Sequence, residues 1–79
     1  MKARVTVTLK PGVLDPQGKA IEGALKSLGV AGVASVRQGK VFDIDIQAAD
    51  RETAGRKLVE ACEKLLANTI VEDYAVDYE

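Results

Sequence analysis

Histidine is absent from this 79-residue chain, and cysteine occurs once. The commonest general base and metal ligand is therefore missing. The lone thiol, Cys62, has no partner for an internal disulfide, and its helical spacing from Leu58 and Leu65 marks a buried structural residue, not a nucleophile. Aromatic side chains make up only 4% of the chain. An RNA-binding sheet stacks bases on aromatics of its central strands; the first strand has none, and Phe42 in a later strand reads as core. Neither sign of charge is in excess: eleven basic and twelve acidic side chains leave a net charge of −1, without the electrostatic footprint of a nucleic-acid binder. No apolar run approaches the ~20 residues needed to span a bilayer. The first loop has no paired cysteines for a heavy metal and no arginine for a phosphohydrolase, only Lys10 and Lys19. Gly12 and Gly18 do not make a P-loop. Met1-Lys2-Ala3-Arg4 runs directly into a strand, not into a signal peptide's apolar region. These absences point to the cytoplasm, with no nucleic-acid partner, no membrane and no bound metal.

What is present reads as one globular domain over residues 1–79, with 47% hydrophobic and 29% charged residues. A chain this short buries a modest share of its surface, so a second copy or a partner is a natural way to complete the core. Lys2 to Lys10 alternates, Val5, Val7 and Leu9 against Arg4, Thr6 and Thr8, as a half-buried strand does. From Asp15 to Leu28 the period becomes helical, with Ile21, Ala24, Leu25 and Leu28 in one stripe, Glu22 and Lys26 as an i,i+4 pair, and Gly29 as the stop. Val33–Arg37 reads as a second strand and Gln38-Gly39-Lys40 as a turn into a third, Lys40–Ala48, giving an antiparallel hairpin. Asp50 caps a long helix to about Ala67, striped by Ala54, Leu58, Ala61, Cys62 and Leu65, with Glu52–Arg56 and Glu60–Lys64 as ion pairs. Ile70 to Tyr78 is the last strand, its apolar face interrupted by Glu72, which suits an edge strand or a partner contact. The order β-α-β-β-α-β predicts an α+β, ferredoxin-like sandwich: a four-stranded antiparallel sheet with both helices on one face. First and last strands would be neighbours, bringing Lys2 and Arg4 toward Asp73 and Asp77.

Val13-Leu14-Asp15-Pro16-Gln17-Gly18 is more particular than a strand-to-helix connection requires. Asp15 suits a helix N-cap and Pro16 the first helical position. Gly18 falls outside that logic, because glycine in a first helical turn costs ~1 kcal/mol relative to alanine. Close backbone approach or a special φ is the usual reason for such a residue. Arg37, Lys40 and Arg51 form a possible basic cluster, and Asp43 with Asp45 a possible cation pair. For both, ordinary solvated charge is the simpler reading. Cys62-Glu63-Lys64-Leu65-Leu66-Ala67-Asn68-Thr69-Ile70-Val71-Glu72-Asp73-Tyr74 is likewise only partly explained by helix packing.

These stretches carry a resemblance. The Val13–Gly18 run with Ala20, the Arg37-x-Gly39-Lys40 turn and the Cys62–Tyr74 segment together resemble the PurS family, the small subunit of phosphoribosylformylglycinamidine (FGAM) synthase. The resemblance extends from the opening strand to Tyr74, with only a very short tail after it. It implies a place in purine biosynthesis. The complete enzyme converts formylglycinamide ribonucleotide, glutamine and ATP to the amidine, ADP, phosphate and glutamate. A glutaminase subunit releases ammonia, and a large synthetase subunit uses ATP. The small subunit is similar to an adaptor that self-associates, as a homodimer or a dimer of dimers, joins the other two and aids ammonia transfer. It is expected to bind no cofactor itself, ATP and glutamine being used by the partner subunits. No catalytic residue is expected in this chain, in keeping with its lack of nucleophile, base and metal site. Partner contacts are expected at Asp15, Gln17 and Gly18, at Arg37 and Lys40, and at Asn68, Glu72 and Tyr74. Two alternatives are a small-molecule-sensing module of the same fold, its ligand approaching the glycine before the first helix, and a small independent enzyme.

Overall fold

The computed structural model describes residues 1–79. Strand β1 (Lys2–Leu9) is the centre of a three-stranded sheet in the order β2-β1-β3, with β2 spanning Gly39–Asp45 and β3 spanning Glu72–Tyr78. Both pairings are antiparallel. The alternation of β1 sends Ala3, Val5 and Val7 into the core, while Lys2, Arg4 and Thr8 stay exposed. Beside them Phe42 and Ile44 of β2, and Tyr74 and Val76 of β3, pack partly buried against the same core. First and last strands are neighbours as expected, with Arg4 opposite Asp77 and Thr8 opposite Asp73. The side chains choose differently: the Arg4 guanidinium donates to Asp43 at 2.8 Å, and Lys10 meets Asp73 at 3.2 Å.

Helix α1 (Pro16–Ser27) begins as expected. Asp15 is its N-cap, accepting from the Gly18 amide, and Pro16 takes the first helical position. It ends in a Schellman motif. Gly29, at φ 81°, turns the chain so that its amide donates to Lys26 O and the Val30 amide to Leu25 O. Helix α2 (Arg51–Ala61) starts at Asp50, which accepts from the Thr53 amide at 2.7 Å. Ala54 and Leu58 face the core, and the Glu52–Arg56 and Glu60–Lys64 pairs form at 3.1 and 2.8 Å.

The α2 stripe does not continue to Ala67 in one register. Cys62–Leu66 winds as a π-helical turn, closed by the Ala67 amide on Cys62 O at 3.0 Å. The wider turn rotates the residues after Cys62. Leu65, expected inside, is 83% exposed, and Leu66 takes the place against the core instead.

The larger departure is in the middle of the chain. Val33–Arg37 is not a strand, the hairpin with β2 does not form, and the sheet has three strands where four were expected. The reason lies in where the backbone donors of this segment go. The Val36 amide donates to Glu22 Oε2 at 2.9 Å and the Gln38 amide to Asp15 Oδ2 at 2.8 Å. Side chains of α1 and its cap therefore hold this segment beside α1 and away from the edge of β2. Glu22 thus meets Val36 and, at 3.5 Å, Lys19, in place of the expected Lys26. The expected two helices on one face are not found either: α1 is not packed on the sheet and contributes no residue to the core cluster. Helix α1 and the returning segment form an arm, and the molecule measures 50 × 26 × 14 Å. Its radius of gyration is 15.9 Å, against about 12 Å for a compact chain of this length.

The π-helical turn makes a discriminating prediction. Leu66→Ala should lower the unfolding free energy by about 2 kcal/mol, whereas Leu65→Ala should stay within about 0.5 kcal/mol of the parent. Urea titration of both variants checks it; the reverse order would mean that the helix continues in α register.

Candidate functional site

The residues singled out from the sequence gather at one end of the sheet, where β1 leaves and β2 and β3 begin. Asp15 is the anchor. It is buried at 7% relative exposure although ionisable. Oδ1 accepts from the Gly18 amide at 2.9 Å and Oδ2 from the Gln38 amide at 2.8 Å. The Arg37 Nε approaches Oδ2 at 4.0 Å, while the same guanidinium donates to the Leu9 and Lys10 carbonyls at 3.0 and 3.2 Å. One carboxylate and one guanidinium thus join the exit of β1, the start of α1 and the entry to β2. The amides of Gln38 and Gly18 hold the Asp15 carboxyl below the usual carboxylate range, helped by the Arg37 charge and opposed by burial.

Gly18 is explained by the same junction. A Cβ built there would collide with the Val36 carbonyl and stand 2.8 Å from Asp15 Oδ2. The glycine lets the returning arm segment lie against the first turn of α1. The approach that a ligand-sensing loop would keep free for its ligand is filled by the chain's own backbone. Gln17, on the same turn, is exposed and borders a shallow cleft with Gln38, Lys40 and Glu72.

The last segment is tied in from the other side. Glu72 lies on the inner face of β3, where Oε1 accepts from the Asn68 amide at 2.6 Å and Oε2 meets Lys40 Nζ at 3.7 Å. The Lys40–Glu72 pair spans β1, because Lys40 stands opposite Val7 and Glu72 opposite Leu9. Asn68 closes the turn into β3, its Oδ1 accepting from the Ile70 amide at 3.3 Å and its carbonyl from the Val71 and Glu72 amides. Tyr74 packs on the core and donates its hydroxyl to Glu63 Oε2 at 2.8 Å, which raises the phenol above its ordinary pKa. Sequence reasoning missed Glu22, Gln38 and Glu63. The acceptors act on backbone or hydroxyl groups distant in sequence, and Gln38 acts through its amide, so no local pattern announces them.

Other groupings considered from the sequence do not assemble. Arg51 sits over the Tyr78 ring, 4.8 Å from its centroid, at the opposite end of the sheet from Arg37 and Lys40. Asp43 is matched by Arg4, and Asp45 by the N-terminal ammonium at 3.7 Å. No three carboxylate or thiolate ligands converge on a point. Cys62 is buried, and desolvation raises its thiol pKa, the opposite of an activated nucleophile. No helix is long and apolar enough to cross a membrane. The arrangement can fix backbone and present an exposed rim of Gln17, Arg37 and Lys40.

Comparison with known proteins gives a consistent result. The family described as PurS, phosphoribosylformylglycinamidine (FGAM) synthase, matches residues 2–79. The chain is 49% identical over 76 residues to the PurS subunit of that synthase from Archaeoglobus fulgidus, covering 96% of this chain and 95% of the relative. It superposes on PurS of Bacillus subtilis with a TM-score of 0.89 at 46% identity, covering 99% of this chain and 96% of the other. A chain in the structure of PurLQS from Thermotoga maritima matches with a TM-score of 0.90 at 34% identity, covering 96% and 93%.

Two measurements test the junction. Alanine is normally the better helix former, yet Gly18→Ala should destabilise by about 1–3 kcal/mol because the added methyl displaces the Val36 carbonyl. Urea unfolding at neutral pH checks this, and an unchanged midpoint would contradict it. Asp15 has a folded pKa below its unfolded value of about 3.9. Its contribution is therefore fully present above about pH 4 and is lost as pH falls through the folded pKa. Asp15→Asn should lower Tm at pH 7 by several degrees and flatten the loss of Tm below pH 4, measured as a pH series of thermal melts for both proteins.

Proposed function

The chain belongs to the PurS family of phosphoribosylformylglycinamidine synthase subunits, and from that premise we propose that it assembles the glutaminase and synthetase subunits and aids ammonia transfer between them. It is a subunit of the FGAM synthase of purine biosynthesis. The observation that carries the adaptor role is the end-to-end match to a chain of the PurLQS assembly, together with a site whose polar groups are spent on holding backbone. Asp15, Glu72 and Asn68 satisfy amides of their own chain, which is the work of a scaffold.

In this reading the chemistry resides in the partners. This chain binds no cofactor, ATP and glutamine are used by the synthetase and glutaminase subunits, and the complex works in the cytoplasm. The small subunit self-associates as a homodimer or a dimer of dimers. Gln17, Arg37 and Lys40 are proposed as direct partner contacts because their side chains are exposed on the rim. Asp15, Gly18, Asn68, Glu72 and Tyr74 shape that rim and meet partners through it.

Reconstitution tests the proposal. Adding this chain to the purified synthetase and glutaminase subunits should raise the glutamine-dependent rate of amidine formation roughly tenfold or more, equivalent to about 1.4 kcal/mol of barrier. The ammonia-dependent rate should respond much less. Equal glutamine-dependent rates with and without the chain would overturn the adaptor role.

A further inference from the structure

Two turns close the end of the sheet where β1 leaves. In Lys10-Pro11-Gly12-Val13 the Val13 amide donates to Lys10 O at 3.1 Å, and Gly12 stands at φ 86° behind the proline, the type II arrangement. In Asn68–Val71 the Asn68 carbonyl accepts from the Val71 amide at 3.0 Å, and its Oδ1 accepts from the Ile70 amide at 3.3 Å. The Lys10 amide donates to Val71 O at 2.8 Å, so the two turns stand side by side. The π-helical turn ends next to them, because Ala67 leads directly into Asn68.

This end carries large aliphatic side chains into solvent. Of the four such residues more than 70% exposed, Leu28 lies on the arm and the other three are here: Ile70 at 85%, Leu65 at 83%, and Leu14, between the first turn and the Asp15 cap, at 72%. Turn and loop positions of this kind favour glycine, asparagine, aspartate or serine. Local geometry asks for no leucine or isoleucine at any of the three. The backbone beneath them is already held by turn and cap bonds, so little ordering is left to oppose binding. An apolar centre with a polar rim is the anatomy of a protein interface, and Arg37 and Lys40 supply the rim.

The same features say what covers it. Turn tips are convex and need a depression. The clefts beside them, one bordered by Gln17, Gln38 and Lys40 and the other by Lys10, Glu63 and Thr69, are lined mostly by polar residues. Tip against tip between two copies would bring convex surfaces together. It would also set Arg37 and Lys40 of each copy against their like, because the carboxylates they meet, Asp15 and Glu72, are turned inward. Tip against any other surface of a copy is a head-to-tail contact, which leads to rings or open chains. We propose that Leu14, Leu65 and Ile70 are the apolar anchors by which this chain docks on a different subunit of the synthase, in a single depression with an apolar floor and carboxylates at its border. This rests on the adaptor reading above and locates its contact.

Titrating the intact chain into the purified synthetase and glutaminase subunits, each alone and both together, with glutamine and ATP present, tests the assignment. Leu14→Ser, Leu65→Gln and Ile70→Ser should each raise the dissociation constant for one of the two subunits at least tenfold. Far-UV circular dichroism, Tm and the light-scattering mass of the chain alone should stay as in the parent. Val41→Thr, an exposed aliphatic position on the outer face of the sheet, should bind as the parent does. Parental affinity of all three variants for both subunits would overturn the anchors and leave the adaptor role standing. An equal loss toward both subunits would overturn the single depression, and a lowered mass of the chain alone would assign the tips to contacts between copies. A parent chain that binds neither subunit, alone or together, would overturn the adaptor reading itself.

Discussion

One buried carboxylate sets the course of this chain. Asp15 accepts an amide from each side of the arm, Gly18 at its start and Gln38 at its end. An N-cap normally satisfies only the first turn of its own helix. Here the second oxygen fixes where the chain comes back, and so determines that residues 16–38 leave the sheet as a unit. The ionised form is the one that fits, since both amides and the Arg37 guanidinium favour negative charge in a place where burial alone would oppose it. Gly18 belongs to the same device. Without room for the Val36 carbonyl at the first turn, the returning segment would not lie close enough for Glu22 and Asp15 to reach its amides.

The parts legible in the sequence are those decided by local physics. The alternation of Lys2–Leu9, the Asp15-Pro16 and Asp50 helix starts, the Gly29 stop and the ion pairs of α2 depend on neighbours within about a turn, and the family resemblance carried the pathway. Three features were not legible. Val33–Arg37 has β-branched residues and the spacing of a strand, but its Val36 amide and the Gln38 amide that follows it go to side chains more than a dozen positions away, and tertiary context outweighs β propensity. The π-helical turn exchanges Leu65 for Leu66, a choice between two adjacent leucines that periodicity cannot make. Gly18 was recognisable as unexplained, although the atom that needs its space, the Val36 carbonyl, belongs to a segment first read as lying in the sheet. That the candidate residues share one end of the fold was not legible either, because their internal bonds to Gln38, Glu63 and the Leu9 and Lys10 carbonyls could not be read from spacing.

The size of the chain connects these observations to assembly. The fully buried large side chains are only Leu58, Val5, Val7 and Cys62. A core this small supplies little stability against the ordering of a whole chain. The arm adds nothing to that core while exposing Leu28 and its neighbours, so the isolated chain leaves apolar area uncovered that a compact monomer would bury. Such an arrangement persists when binding stabilises the folded form by mass action. In an adaptor this coupling has a use: the subunit is best ordered where its partners are present.

The same argument explains why the rigid and the exposed parts of the site are divided as they are. On the proposed reading the rim meets two different proteins, and a contact surface loses affinity for every side chain it has to immobilise on binding. The rim is set on backbone already fixed by Asp15, Arg37, Asn68 and Glu72, each of which holds main chain within its own subunit. Lys40 is restrained by Glu72 and yet keeps more than half of its side chain in solvent. Gln17 is carried by the first turn of a capped helix. These groups are therefore presented in one arrangement before any partner arrives. Most of the polar residues that looked from the sequence like candidates for contact hold the backbone that carries the exposed side chains of Gln17, Arg37 and Lys40.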